Sequence, residues 1–445
     1  MIKSILIANR GEIARRIIRT AGKLHIKTTA VYSDIDENAL FIKEADEKER
    51  LGGKSPQESY LNIDKIINIA VKKQCDAVHP GYGFVSENPE FIKACEKAKI
   101  IFIGPNAEAV SAMGDKAEAR EVAKRLSIPV VPGSKILKDL DEAREICKEL
   151  SYPVLLKASA GGGGIGMKKV DKEEALEKAF AETSNRASAA FGDGRIYIEK
   201  YLEEPHHIEI QVLRDKNGNT VAFYERECSV QRRHQKVIEE SPSAYVTEDL
   251  RKDLRDAAKK LINGIDYINA CTIEFMVDKH KKFYFLEANT RLQVEHPVTE
   301  EISGADIVEL QIRIASGEDI PIKEETLNIS GWAIESRIYA EDPERFYPSP
   351  GRIIDYAEPR GEGIRVDSGY TAGDTITQFY DPLIAKLIAH GKTRKDALDR
   401  MISALGDYKI SGIKTNIPFL IKACSSGLFK EGGYDTHFIE KLSKQ

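Results

Sequence analysis

Short apolar runs alternate with stretches of helical spacing through the first hundred residues. Residues 4–7 form one run, and after Asn9-Arg10-Gly11 apolar positions recur every three or four residues over 12–21. Further runs lie at 28–32, 77–79 and 100–103, the last closed by Gly104-Pro105. Strands alternating with helices predict a parallel, doubly wound sheet, whose ligands sit beyond the carboxyl ends of the strands. The loop His79-Pro80-Gly81-Tyr82-Gly83-Phe84 follows one such end and is a candidate site edge. A Gly/Pro turn carrying a packed aromatic accounts for it equally well.

The pattern changes near Gly114. Helices and a glycine tract lead into a strand-like series from 197 to 289, and helical spacing returns over 302–316. From about Trp332 the chain is strand-rich, with turn residues at 348–351, and it closes on helical spacing over 394–405. The expected class is α/β (α+β overall), in three units: 1–113, 114–330 and 331–445. Within the second unit one stretch stands out. Glu287, Asn289, Arg291, Gln293 and Glu295 fall on alternate positions, so an extended chain would point all five one way. Upstream lies the strand-like run 272–277, joined to the first by Asp278-Lys279-His280-Lys281, a plausible hairpin turn. A hairpin there sets Glu274 near Glu287. Opposed carboxylates destabilise a sheet unless a cation lies between them, and oxygen-only ligands suit Mg2+. A solvated charged face is the plain alternative.

Bulk properties narrow the function. The 445 residues are 42% hydrophobic and 31% charged, as in a soluble enzyme. A net charge of -5 without a long basic run argues against nucleic acid as a partner. The six cysteines form no Cys-x-x-Cys pair, which speaks against a zinc knot or disulfide framework and for a reducing, cytoplasmic setting. No apolar stretch reaches membrane-spanning length, and the run at 5–8 is too short for a signal core.

The glycine tract bears on phosphate. The run Pro153 to Ser159 passes straight into Ala160-Gly161-Gly162-Gly163-Gly164-Ile165-Gly166. Clustered glycines after a strand let backbone amides approach phosphate oxygens. Met167 follows Gly166, so a P-loop is ruled out, while Gly161, Gly163 and Gly166 fit a dinucleotide pattern that is weak alone. A flap over nucleotide phosphates, with Lys116 and Lys157 as counter-charges, is the third reading. Residues 197–202 read as a buried strand entering a hinge, where backbone groups suit an adenine ring. Downstream, the segment 229–236 sets His234 and Lys236 on one face of an extended chain, a pattern that a charged hairpin edge also produces. Residues 205–212 form a second strand with inward polar potential. Lys236 and Arg291 suit a small anion, Arg291 bidentately, and Glu295 is the natural base beside them.

These motifs together resemble biotin carboxylase, the ATP-grasp component of biotin-dependent carboxylases. The resemblance spans essentially the whole chain. It is carried by Ala8 to Ala14, His79 to Phe84, Gly114-Asp115-Lys116, the glycine tract, Gln231 to Lys236, Glu287 to His296, and Arg337. It implies an ATP-grasp fold with a mobile lid at about 131–202. ATP would be surrounded by Lys116, Lys157, Gly162, Gly163, Gly164, Glu199, Lys200, Leu202, His207, Gln231, His234, Glu274 and Glu287. Glu274, Glu287 and Asn289 would hold Mg2+ or Mn2+, two ions in all. Lys236, Arg291, Gln293, Val294 and Glu295 would bind bicarbonate, with Glu295 as base. Arg337 would steady the biotin enolate, and Tyr82 would lie at the biotin end. Biotin would be a carried substrate, not bound covalently to this chain. The biotin carboxyl carrier protein and the carboxyltransferase would be separate chains, since no Met-Lys-Met signal occurs and the chain ends near the expected end of this unit. A homodimer is implied.

Two features depart from the family pattern. Ile165 stands where many members carry Arg, and residues 46–50 are charged where an apolar strand is usual. A ligase acting on ammonia or an amino group, and a nucleotide sensor without turnover, are the competing functions. The intact set Lys236, Arg291 and Glu295 opposes the sensor, which needs no base.

Overall fold

The computed structural model describes residues 2–159 and 166–444. The first sheet is built as the alternation predicts. Strands β1 (Ser4–Ile7), β2 (Lys27–Tyr32), β3 (Glu47–Arg50), β4 (Ala77–His79) and β5 (Ile101–Phe102) lie side by side in the order β3-β2-β1-β4-β5, all parallel. The charged segment is the edge strand β3. Glu47 pairs with Lys27 and Lys73, Glu49 with Lys72 and Lys73, and Arg50 with Asp34. A charged edge keeps the sheet from recruiting another strand, which accounts for its composition.

A small antiparallel sheet, β7-β6-β8, holds the region before and after the glycine tract: β6 (Val154–Ala158), β7 (Met167–Val170) and β8 (Ile196–Lys200). Its core is its own, formed by Leu137, Cys147, Val154, Leu156, Leu176 and Ile198 among others.

The largest sheet has eight antiparallel strands. Strands β9 (His206–Arg214), β10 (Thr220–Arg232), β11 (Gln235–Ser241), β12 (Asn269–Val277) and β13 (Phe283–Asn289) come from the middle of the chain. From the last third come β14 (Trp332–Tyr339), β17 (Ile364–Ser368) and β19 (Leu383–Gly391), while the short β15 (Gly351–Arg352) pairs with β18 (Thr375–Ile376) and β16 (Tyr356–Ala357) with β20 (Lys409–Ile410) as separate two-stranded sheets. The order β13-β12-β9-β10-β11-β14-β19-β17 shows that the second and third predicted units share one continuous sheet, joined where β11 pairs with β14.

Two expectations are corrected. The strand series from 197 to 289 is interrupted by the helix Glu248–Gly264, which buries Leu250, Leu254, Ala258 and Leu261 against β9 and β10. The predicted helix over 302–316 is two helices, His296–Ser303 and Ile307–Ala315, parted at Gly304 in the left-handed region. Asp306 starts the second by accepting from the amide of Glu309, a local signal that outweighs the continuing apolar spacing.

Candidate functional site

The polar face of the large sheet carries a row of charges. The hairpin forms at the predicted turn, and Glu274 pairs in register with Glu287 across β12 and β13. The row continues inward: Glu274 faces Glu209 on β9, and Glu209 faces Arg226 on β10. The opposite face of β9 and β12 is apolar, with Ile208, Ile210, Ile273 and Phe275 buried. Side-chain alternation therefore sorts core from chemistry within single strands.

Lys236 ties this row together. Its ammonium donates to Glu209 at 2.6 Å, to Glu295 at 2.6 Å and to Glu274 at 2.9 Å. A β-bulge aims it there. One step along β10, from Val230 to Gln231, matches two steps along β11, from Ile238 to Lys236. Val237 and Ile238 both enter the apolar core, leaving Lys236 on the charged side with Glu239. The sequence expectation that His234 shares a strand face with Lys236 is corrected. Arg233 and His234 both have positive φ and form the tight turn between β10 and β11, and His234 is exposed.

Burial alone would raise the pKa of Glu274 and Glu295. The cations outweigh it: Lys236 and His207 hold Glu274 well below the usual carboxylate range, and Lys236, Arg337 and Arg226 do the same for Glu295. Lys236 is raised in turn, because Glu209, Glu274 and Glu295 outweigh its burial. Lys236, Glu274 and Glu295 are therefore ionised together.

At the outer end of the row, Lys116 sits 2.7 Å from Glu287. It opens the helix Lys116–Arg125, capped by Asp115, so that its charge joins the positive helix end. Lys157 on β6 is buried, bonds Glu199 at 3.0 Å and lies over the Tyr197 ring. Arg120 holds the other oxygen of Glu199 at 2.7 Å. Lys200 donates to Ser151 O, and Tyr201 Oη lies 3.0 Å from Nε2 of His437, the residue that precedes the C-terminal helix. Leu202 is half-buried beside it. His207 Nδ1 lies 2.6 Å from Gln231 Nε2, while its Nε2 lies 2.6 Å from Glu274 without hydrogen-bond alignment. Gly162, Gly163, Gly164 and Ile165 lie outside the described residues.

The alternation from Glu287 to Glu295 ends sooner than its spacing suggests. β13 stops at Asn289, and the chain turns into the helix His296–Ser303. Asn289 Nδ2 and Gln293 Nε2 both donate to Glu274 at 2.7 Å. Arg291 does not touch Glu295. Its guanidinium bonds Glu87 at 2.7 Å and Asn289 Oδ1 at 2.9 Å. Glu87 belongs to the first unit and also accepts from Thr290, so it holds this turn against the parallel sheet. The carbonyl of Val294 accepts from Lys386 at 2.9 Å. Glu295 accepts from Arg337 at 2.9 Å, and Arg337 is fixed by Glu239 at 2.6 Å. Tyr82 donates to Glu12, and its loop is pinned where Asn9 Nδ2 donates to the carbonyls of Pro80 and Tyr82, both at 2.7 Å. A Cβ on Gly81 would meet Asn9 Nδ2 at 2.9 Å.

The structure thus gathers Glu274, Glu287, Asn289, Gln293, Lys236, Glu295 and Arg337 into one charged cleft. Sequence reasoning missed Glu209, Arg226, Glu87, Glu239 and Lys386. Glu209 and Gln211 alternate with Ile208, Ile210 and Val212, a signal that would have found Glu209. Arg226 carries no such signal, because the neighbouring stretch 225–227 is charged throughout.

Family models for the biotin carboxylase N-terminal domain match residues 1–110, for the carbamoyl-phosphate synthase L chain ATP-binding domain residues 115–323, and for the biotin carboxylase C-terminal domain residues 335–441. Biotin carboxylase 2 of Bacillus subtilis is 51% identical over 99% of this chain and 100% of its own length. The chain belongs to the biotin carboxylase family. Its ATP-grasp architecture is shared with a solved biotin carboxylase domain dimer of the 2-oxoglutarate carboxylase from Hydrogenobacter thermophilus, described in complex with MgADP, ADP and bicarbonate. That structure has a TM-score of 0.97 and 47% identity, covering 100% of this chain and 98% of its own. A pyruvate carboxylase subunit from Methanothermobacter thermautotrophicus is 49% identical over 100% of this chain and 91% of its own length. Similar identity to enzymes named for different acceptors means that overall similarity does not choose among them. Among the described residues, no helix is long and apolar enough to cross a membrane.

Proposed function

We propose that this biotin carboxylase family member uses ATP to carboxylate biotin with bicarbonate, yielding ADP, phosphate and N1-carboxybiotin. Lys236 carries the reading: one ammonium reaches both Glu274, at the phosphate end of the cleft, and Glu295, at the anion end. A single cation so placed serves the nucleotide and the anion in one closed event.

Bicarbonate is a poor electrophile, so its oxygen first attacks the γ-phosphorus of ATP to give carboxyphosphate and ADP. Lys116, Lys157 and the glycine tract would hold the phosphates, and the 197–202 hinge, with Glu199, Lys200 and Leu202, would hold the base beside His207, Gln231 and His234. Lys236, Arg291, Gln293 and the Val294 amide would bind bicarbonate, whose one O–H can donate to the Glu295 carboxylate. Lys236 and Arg337 both hold Glu295. An arriving anion draws those cations to itself and frees Glu295 to act as base. Carboxyphosphate then falls to CO2 and phosphate. The phosphate takes the biotin N1 proton, and the resulting enolate attacks CO2 with Arg337 beside its oxygen and Tyr82 at the edge. Closure of residues 131–202 would keep water from the intermediate.

The acidic row fits a divalent cation. Glu274 and Glu287 are opposed, and among the described residues His207 Nε2 is buried without an aligned partner. Glu274 and Glu287, with Asn289 beside them, would hold Mg2+ or Mn2+, which offsets charge on the transferring phosphoryl group. A separate biotin carrier, a carboxyltransferase and a second copy of this chain are the partners this reading calls for.

ADP release with ATP, Mg2+ and bicarbonate, with and without free biotin, tests the proposal. Release should rise with biotin. Release that ignores biotin but responds to ammonia would assign the chain to an amine-using ligase instead.

A further inference from the structure

Beyond the groups assigned above, the third part of the sheet holds a pair of carboxylates that the reaction scheme does not use. Glu239 on β11 and Glu335 on β14 are in-register partners, and both are completely buried. Both Glu335 oxygens and Glu239 Oε2 lack any hydrogen-bond partner among the described residues. Two ionised carboxylates could not be buried side by side with three unpartnered oxygens, because each charge needs compensation in a low-dielectric interior. The remaining Glu239 oxygen accepts from Arg337 at 2.6 Å, and Arg337 reaches Glu295 at 2.9 Å. Glu335 lies two residues before Arg337 on the same strand face. Other charged and titratable groups acting on the pair are Lys236 on β11, Cys228 on β10, Tyr339 on β14, Lys386 on β19 and Glu295 at the helix start.

We infer that Glu239 and Glu335 share one proton, and that this proton leaves a single negative charge against Arg337 so that its guanidinium stays directed to Glu295 and the substrate. Glu335 is a positioning residue: it acts through Arg337 and touches no substrate. Burial pushes Glu239 up to about 7 and Glu335 well above the carboxylate range, in the direction the geometry requires. Ionisation of the second carboxyl would set two anions on Arg337, draw it from Glu295 and neutralise the charge that the biotin enolate needs. The inference rests on the proposed role of Arg337.

The test is the pH profile of kcat/KM for biotin in the wild type and in Glu335→Gln, which mimics the protonated acid. The wild type should show an alkaline limb, and in the variant that limb should vanish or move up by about one pH unit or more. The KM for ATP should stay unchanged. A limb at the same pH in both proteins overturns the inference. If Glu335→Gln does not fold, infrared spectroscopy of the wild type decides. A buried protonated-carboxyl carbonyl band that titrates with the turnover limb sustains the inference, and no such band at neutral pH overturns it. Arg337→Ala separates the two readings. If it leaves biotin-dependent turnover intact, the role of Arg337 itself fails; if it abolishes turnover while the Glu335→Gln limb does not move, only the shared proton fails.

Discussion

Two halves of one sheet solve the problem of buried charge in opposite ways. Across β13, β12, β9 and β10, each carboxylate of the row meets a cation: Lys116 with Glu287, Lys236 with Glu274 and Glu209, Arg226 with Glu209. Across β11 and β14, Glu335 meets none within bonding distance among the described residues. In the first half the cations hold Glu274 and Glu287 below the usual carboxylate range, which suits a site for phosphates and a small anion. The second is poised to hold a proton. Burial does not set the difference, since Glu209 and Glu274 are as buried as Glu239 and Glu335; the supply of cations does.

Removing the cation that joins three carboxylates should have the largest effect. Lys236→Met leaves Glu209, Glu274 and Glu295 without their shared partner. It should abolish turnover and lower stability by about 3–5 kcal/mol, measured by denaturant unfolding. A folded protein of wild-type stability would show that the row is not coupled through Lys236. Next, Glu295→Gln should reduce biotin-dependent turnover by roughly 10²–10⁴-fold while nucleotide binding, read by calorimetry, persists. Retained turnover would remove Glu295 as the base.

The pH dependence of stability sharpens the contrast further. Glu274 and Glu295 are depressed in the folded state, chiefly because Lys236 outweighs their burial. The unfolded chain therefore binds more protons at low pH, so their contribution is present above about pH 4–5 and lost as pH falls. Glu239 is raised to about 7 by burial. Here the folded chain binds more protons, so stability falls as pH rises from about 4–5 toward 7. Thermal unfolding should show both limbs, and Glu335→Gln should flatten the second only. Equal flattening of both would dissolve the distinction between the halves. The smallest effect is expected at the edge of the parallel sheet. Glu47→Ala should leave the unfolding midpoint unchanged, because exposed ion pairs contribute little.

Much of this architecture was legible in the chain. Alternating strand and helix spacing predicts the parallel sheet, and the turn at 278–281 predicts the register of Glu274 with Glu287. Three things were not legible, for physical reasons. The bulge that turns Lys236 to the charged side depends on pairing between β10 and β11, which local spacing does not record. The end of β13 at Asn289 is set by Glu87, two hundred residues earlier, which takes the amide and hydroxyl of Thr290. The joining of β11 to β14 pairs strands far apart in the chain, and with it come Glu239, Glu335 and Lys386. Arg226 was hidden because charge at 225–227 blurs the alternation that exposes Glu209.

In the proposed reaction bicarbonate attacks ATP at the charged cluster around Lys236. Oxygen-labelled bicarbonate tests it directly. In the presence of ATP, Mg2+ and biotin, the released phosphate should carry one oxygen from bicarbonate, because the new P–O bond survives when carboxyphosphate breaks at carbon. Phosphate released with no bicarbonate oxygen would contradict the account.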